Sequence, residues 1–137
     1  MDISPPQKIK IIETKNNGRA VVAAEKIFKD EIIEYCPLII LRPKDSAFIK
    51  NKSESDTLYY YYLQQPDLKR NCIMLGYGSL YNHSSDPNSE IDYEIDPKIT
   101  HIIFRAIKDI EVGQEITWDY NFDNGIIEFL PSEQKIN

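Results

Sequence analysis

The chain has 137 residues, a formal net charge of −6 and an apolar share of 42%. This length and composition are typical of one globular domain that buries a core without disulfides or metals. The acidic balance disfavours nucleic-acid binding, which needs a basic face, and favours a basic partner such as a Lys/Arg-rich peptide, although the same charge could serve solubility alone.

The two cysteines, Cys36 and Cys72, are too few for a disulfide framework. Apolar or aromatic neighbours flank both, which predicts buried free thiols, with a single bridge as the alternative. The sequence contains no run of eighteen apolar residues that could span a membrane. Its first residues also lack the basic end and apolar centre of a signal peptide. We therefore expect an intracellular protein without membrane association.

Short apolar runs separated by turns make up the first third of the chain. Residues 1–7 predict a loose lead-in, and the composition of residues 15–18 predicts a tight turn. Pro37 predicts an interruption, because proline cannot donate to a strand ladder. The predicted strands of this part cover residues 8–14, 20–24, 31–35 and 38–42.

The middle of the chain changes from polar to aromatic. Residues 43–56 predict a surface connection that could include one helical turn. Residues 58–63 contain four consecutive tyrosines and predict a strand that places Tyr60 and Tyr62 on one face and the other two on the opposite face. Residues 64–70 predict a loop.

Further strands are predicted over residues 89–95, 100–107 and 115–118. In the first, Glu90, Asp92 and Glu94 alternate with apolar residues, which predicts a half-buried strand with an acidic outer side. Such an edge could bind a basic peptide as an added strand, or its charge could only protect the edge. Elements this short indicate a mostly β protein of small sheets.

Residues 75–88 form a polar, backbone-rich segment between these apolar runs, an arrangement typical of binding sites. Oxygen-bearing side chains alternate from Asp86 to Asp92, as in a calcium loop. However, Ile91 and Pro97 stand where that loop requires glycine and glutamate. The histidines and cysteines lack zinc spacing. We therefore expect no metal.

Three segments of the chain carry a family resemblance. Residues 76–88, Gly-Tyr-Gly-Ser-Leu-Tyr-Asn-His-Ser-Ser-Asp-Pro-Asn, resemble the Asn-His-Ser motif of SET-domain protein-lysine methyltransferases. Residues 113–120, Gly-Gln-Glu-Ile-Thr-Trp-Asp-Tyr, resemble the family's Gly-x-Glu-Ile/Leu-Thr-x-Asp-Tyr segment. Residues 17–33 resemble its Gly-x-Gly-Val loop and the hairpin after it. The matches follow the family order and span residues 15–120.

The resemblance implies one SET domain over residues 1–137, with a mostly β fold of several small curved sheets. It implies a pseudoknot-like threading of the C-terminal segment against the Asn-His-Ser strand, and a tail over residues 121–137 that packs near the cofactor site. No cysteine follows Cys72. The chain therefore resembles compact members without the cysteine-rich zinc segment, and Ser85 stands where the motif usually has cysteine.

The resemblance also implies a binding site for S-adenosylmethionine. In it, the Asn82 amide meets the amino-acid end of the cofactor and the His83 backbone meets the adenine. By residue type alone, a turn-capping Asn and a core His are the commoner interpretation. The residues that the resemblance assigns to the cofactor are Gly18, Arg19, Ala20, Asn82, His83, Tyr120 and Phe129. The family usually has glycine at the position of Ala20, and Phe129 could equally only anchor the tail.

Tyr120 is the catalytic residue that the resemblance implies, with its hydroxyl beside the transferring methyl group. The alternative is a core tyrosine at the end of a strand. Aromatic residues would form the channel for the substrate lysine, since ring faces favour partial positive charge. The predicted channel residues are Tyr60, Tyr62, Tyr77 and Trp118, and packing alone is the alternative for each. Trp118 lacks the phenolic hydroxyl that would hold a water, which favours di- or trimethylation.

The implied activity is S-adenosylmethionine-dependent methylation of a lysine on a histone or a similar basic protein. A non-histone target and a non-catalytic peptide-binding module on the same fold are the alternatives. The location that follows is a nucleus, including the nucleus of a host cell, or otherwise the cytoplasm. A homodimer would supply substrate-binding surface that so small a domain lacks.

Overall fold

The structure is a computed structural model that describes residues 1–16, 18–55 and 57–120. Three small sheets make up this part of the chain. The first pairs β1 (Ile9–Thr14) with β2 (Gly18–Ala23) in an antiparallel hairpin. The strands of the second sheet, in spatial order, are β4 (Leu63–Gln65), β5 (Arg70–Met74), β3 (Ile32–Ile40), β8 (His101–Ala106) and β7 (Ser89–Asp92). The third pairs β6 (Asn82–His83) in parallel with β9 (Thr117–Trp118). The mostly β fold of small sheets is thus confirmed.

Helical structure is confined to short segments. The helix α1 covers Pro43–Lys50, and 3₁₀ turns cover Leu58–Tyr60, Pro66–Leu68 and Gly78–Leu80. Proline in the first turn of α1 is pre-organised for a helix start. Residues 43–50 form about two helical turns, where the sequence predicted a surface connection that could include one. No helix among the described residues is long and apolar enough to cross a membrane.

One apolar cluster joins the three sheets. It includes Val21 from β2, Cys36 from β3, Phe104 from β8 and Trp118 from β9, all buried. Cys36 and Cys72 are free, buried thiols, as predicted. Burial raises the pKa of the Cys72 thiol to about 12, so this thiol stays protonated and packs as a small apolar group.

The prediction that Pro37 interrupts the strand was wrong, because β3 runs through it. The neighbouring Leu38 donates its N–H toward β8, to the Thr100 carbonyl at 2.9 Å. Pro37 faces the opposite edge, at the end of β5, where its carbonyl accepts from the Leu75 N–H at 2.8 Å. Its missing N–H therefore removes a ladder bond only where the pairing with β5 ends.

The strand predicted over residues 58–63 was also wrong. Leu58–Tyr60 is a 3₁₀ turn, and β4 begins only at Leu63. The rings of Tyr59 and Tyr60 pack edge to face at 5.5 Å, so local ring packing replaces the alternation that a strand would impose. The residues predicted as a loop after them include most of β4, the Pro66–Leu68 turn and the start of β5.

The segment that contains β9 connects the first sheet to the third. The Ile116 N–H donates to the Val21 carbonyl at 2.8 Å, which places residues before β9 against β2. Buried Asn88 then holds β9 with two hydrogen bonds: it accepts from the Thr117 N–H at 2.9 Å and donates to the Glu115 carbonyl at 2.8 Å. This is the threading against the Asn-His-Ser strand that the family resemblance implied.

Asn88→Ala should lower the free energy of unfolding by roughly 2–4 kcal/mol, because one buried N–H and one buried carbonyl lose their partners. Urea denaturation measures the change. Asn16→Ala, at an exposed position, is the matched control and should stay within about 0.5 kcal/mol of the wild type. Equal effects of the two substitutions would show that Asn88 does not hold β9.

Candidate active site

Tyr120, just after β9, is fixed by its main-chain N–H, its hydroxyl and its ring. Its N–H donates to His83 Nδ1 at 3.0 Å, and its hydroxyl donates to the Tyr81 carbonyl at 2.8 Å. Its ring lies 5.0 Å from the Trp118 ring and 5.1 Å from the His83 ring, measured between centroids. Burial raises the pKa of Tyr120, and the Tyr61 phenol and the Glu115 carboxylate raise it further to a lesser degree. Tyr120 therefore presents a neutral, fixed phenol.

Asn82 joins three segments of the chain. Its Nδ2 donates to the Arg19 carbonyl at 3.0 Å and to Glu115 Oε2 at 2.7 Å. Gly18, at the start of the same strand as Arg19, is exposed and has a φ of +68°, a conformation that side chains rarely adopt. Ala20 is 1% exposed, so the residue that stands in place of the family's glycine is buried in the hairpin. Around Asn82 the structure thus gathers a carbonyl and a carboxylate, which suit an ammonium group.

The hydrogen bond between His83 and the Tyr120 main chain defines the tautomer of the neutral His83 ring. Its Nδ1 accepts the hydrogen bond from the Tyr120 N–H, so the proton lies on Nε2. Asp119 Oδ1 is 3.7 Å from the same Nδ1. His83 thus helps to hold the backbone that carries Tyr120.

The predicted channel residues differ in how they are placed. Trp118 is 5% exposed and packs edge-on to Phe104 at 5.8 Å, beside Tyr120. Tyr77 is half-buried against the core. Tyr62 accepts a hydrogen bond from Gln64 Nε2 at 3.0 Å, and Tyr60 packs on Tyr59. Their role in a channel stays a prediction.

Sequence reasoning missed Tyr61, whose phenol contributes to the raised pKa of Tyr120. Residue 61 is 40% exposed, so a ligand can reach it from solvent. The run of tyrosines contained this signal. The predicted strand, however, assigned Tyr60 and Tyr62 to the channel and Tyr61 to the opposite face. Phe129, predicted to cover the adenine, lies outside the described residues.

Sequence reasoning also missed Glu34, a carboxylate that is only 3% exposed. Its two oxygens accept hydrogen bonds from the Tyr77 N–H at 2.9 Å and the Tyr81 hydroxyl at 2.7 Å. Burial raises the pKa of Glu34, and these hydrogen bonds oppose the shift. A Cβ at Gly76 would overlap this carboxylate, which accounts for glycine there. No signal in the sequence marked Glu34 as buried.

Within the described residues, no group of three or more His, Cys, Asp or Glu side chains is arranged to hold a metal ion. The site is therefore defined by backbone groups, aromatic rings and the Asn82–Glu115 pair.

Known proteins are similar to this chain in sequence and in fold. The family model of the SET domain matches residues 18–121. The chain is 32% identical over 119 residues to the histone-lysine N-methyltransferase ASHH3 of Arabidopsis thaliana, which covers 85% of this chain and 33% of that one. It is 29% identical over 123 residues to the histone-lysine N-methyltransferase, H3 lysine-36 specific, of Candida albicans, with 85% and 14% covered.

Solved structures give the same result. The crystal structure of CpSET8 from Cryptosporidium superposes with a TM-score of 0.66 at 27% identity, covering 86% of this chain and 59% of that one. A Plasmodium falciparum protein provisionally assigned as a histone methyltransferase gives a TM-score of 0.65 at 29% identity, covering 85% and 95%.

The chain belongs to the SET-domain family. It spans about a third or less of the length of the curated relatives above, 33% of one and 14% of the other.

The buried Glu34 predicts how stability changes with pH. Because burial raises its pKa above the ordinary 4.5, the folded state binds this proton more tightly than the unfolded state. The associated stability is complete below that value and is lost as pH rises through the raised pKa. The free energy of unfolding of the wild type, relative to Glu34→Gln, should therefore fall as the pH rises above about 4.5.

Urea denaturation of both proteins across this range tests the prediction, and the glutamine variant is its own control because it cannot titrate. Parallel pH profiles would show that Glu34 has the same pKa in the folded and unfolded states.

Proposed function

We propose that the protein is an S-adenosylmethionine-dependent protein-lysine N-methyltransferase. The observation that carries the proposal is the Tyr120 phenol, held by the Tyr81 carbonyl beside the strand that contains Asn82 and His83. The similarity to histone-lysine N-methyltransferases supports the same reaction class.

The residues around Asn82 fit the amino-acid end of the cofactor. The Arg19 carbonyl and the Glu115 carboxylate both accept hydrogen bonds from Asn82 Nδ2, and groups of both types are able to accept from an ammonium group. The exposed backbone at Gly18 allows close approach. When bound, S-adenosylmethionine supplies an activated methyl group on a sulfonium, so the protein mainly has to align donor and acceptor.

Alignment and removal of water are the tasks left to this chain. Precise alignment of reacting groups is worth roughly 7–11 kcal/mol. The lysine must also lose its proton, which costs roughly 4–5 kcal/mol at pH 7 for an unperturbed amine. Burial beside aromatic rings lowers the pKa of an ammonium. Trp118, Tyr61 and the neutral phenol of Tyr120 provide such surroundings, and the Tyr120 hydroxyl orients the amine.

The proposed substrate is a lysine on a histone or another basic protein. Relatives act on histones by their names, and one is specific for lysine 36 of histone H3. The net charge of −6 favours a basic partner over nucleic acid. A nuclear location, in the protein's own cell or a host cell, accords with a histone target, and a cytoplasmic location with a non-histone target.

A non-catalytic peptide-binding module is the second candidate. One observation favours it: the Asn82 amide already donates to Arg19 and Glu115, so the pocket satisfies itself without a cofactor. Calorimetry with S-adenosylmethionine separates the two candidates, because a module that only binds peptide has no need of the cofactor.

Tyr120→Phe should lower methyl transfer about a hundredfold, because the hydroxyl that orients the amine is removed. Transfer of label from S-adenosylmethionine to core histones and to other basic proteins measures the effect. Tyr35→Phe is a matched control that removes a hydroxyl from a tyrosine on β3, outside the predicted site, and it should reduce transfer far less. Failure of the wild type to label any protein would contradict the proposed function, and full activity of Tyr120→Phe would remove Tyr120 from its role.

Trp118→Tyr should shift the product toward monomethyl-lysine. A phenolic hydroxyl at this position can hold a water in the space that added methyl groups would occupy, and tryptophan cannot. Mass spectrometry of a methylated peptide gives the product distribution, with Trp118→Phe as the control that adds no hydroxyl. The same distribution in all three proteins would show that residue 118 does not set the number of methyl groups.

A further inference from the structure

A buried carboxylate is linked to the Tyr120 phenol through a single residue. The Tyr81 hydroxyl donates to Glu34 Oε1 at 2.7 Å, and the Tyr81 carbonyl accepts from the Tyr120 hydroxyl at 2.8 Å. Tyr81 is thus bonded to Glu34 by its side chain and to Tyr120 by its backbone. Any shift of Tyr81 moves the acceptor that fixes the phenol.

Glu34 also fixes the other end of the same turn. Its Oε2 accepts from the Tyr77 N–H at 2.9 Å, so one carboxylate binds both ends of residues 77–81. The Tyr81 ring stacks on Phe104 with 4.0 Å between centroids, so the side chain through which Glu34 acts is itself fixed in the core. The carboxylate adds one hydrogen bond at each end of the turn.

We propose that Glu34 is a positioning residue for methyl transfer: through the Tyr81 hydroxyl, it fixes the carbonyl that holds the Tyr120 phenol. This inference rests on the proposed function. Glu34 is 3% exposed and does not face solvent, so it acts through Tyr81 and not on a ligand. Small displacements of reacting groups lower the reaction rate steeply, by about a hundredfold for a displacement of about one ångström.

Tyr81→Phe tests the link, because it removes only the hydroxyl and leaves the ring and the carbonyl. We expect kcat to fall about tenfold, with KM for peptide and for S-adenosylmethionine within about twofold of the wild type. Ser79→Ala is the matched control. It removes a hydroxyl from the same turn, one that donates to the Met74 carbonyl at 2.9 Å, and it should leave kcat within about twofold.

A double-mutant cycle tests whether Glu34 acts through Tyr81. Glu34→Gln keeps an acceptor for the Tyr77 N–H but presents an NH₂ group to Tyr81, so kcat should fall about threefold. In the Tyr81→Phe background the same substitution should have almost no further effect, because the linking hydroxyl is gone. Effects on kcat that multiply would overturn the inference.

A readout that does not depend on activity separates this inference from the proposed function. In protein labelled with 3-fluorotyrosine, the ¹⁹F resonance of residue 120 is assigned by its loss in Tyr120→Phe. Tyr81→Phe should shift this resonance, and Ser79→Ala should not. An active Tyr81→Phe with wild-type kcat and an unshifted resonance would overturn the inference alone. A shifted resonance in a wild-type protein that transfers no methyl group would support the link between Glu34 and Tyr120 and contradict the proposed function.

Discussion

The parallel pairing of β6 with β9 is the contact on which the rest of the site depends. Each strand has two residues, too few to hold a sheet by main-chain bonds alone. Side chains that follow β6 in the sequence supply the difference. Asn88 bonds the Thr117 N–H and the Glu115 carbonyl, and Ser89 Oγ, at the start of β7, donates to the Thr117 carbonyl at 2.7 Å. Because these donors are buried, water does not compete with them. The position of Tyr120, two residues after β9 ends, follows from this pairing.

A second constraint acts from the opposite side of the phenol. Glu34 accepts from the Tyr77 N–H, the Tyr81 hydroxyl and, more weakly, the Cys36 thiol, and no buried cation lies beside it in the described part of the chain. Its raised pKa therefore reflects a cost of burial that the fold retains. An apolar residue at this position would avoid the cost but would leave the Tyr81 hydroxyl and the Tyr77 N–H without their acceptor. Retaining a buried carboxylate is understandable if a defined turn geometry matters more than the last increment of stability.

Much of the fold was predictable because three segments carry their information locally. The strand around Phe104 is rich in apolar residues, and its residues alternate between half-buried and buried. The glycine and Asn-His motifs need particular backbone shapes, so all three segments are visible in the sequence. The tyrosine run failed because strand propensity describes packing on a sheet, and here the rings pack on one another first. The burial of Glu34 was not predicted for a different reason. Its partners, Tyr77 and Tyr81, lie more than forty residues away in the sequence, and no local pattern contains them.

The chain departs from the usual family pattern at positions whose effect depends on which atoms the site uses. Ala20 replaces glycine, but the whole residue is buried inside the β1–β2 hairpin, so its methyl group packs in the protein interior. Tyr120 is held by the His83 ring, which accepts from the Tyr120 N–H, and by the Tyr81 main-chain carbonyl, which accepts from its hydroxyl. A site built from backbone groups tolerates such changes as long as the backbone path is preserved. Trp118 is the exception, because its ring itself lies against Tyr120, and a change there alters the shape of the space in which the proposed reaction occurs.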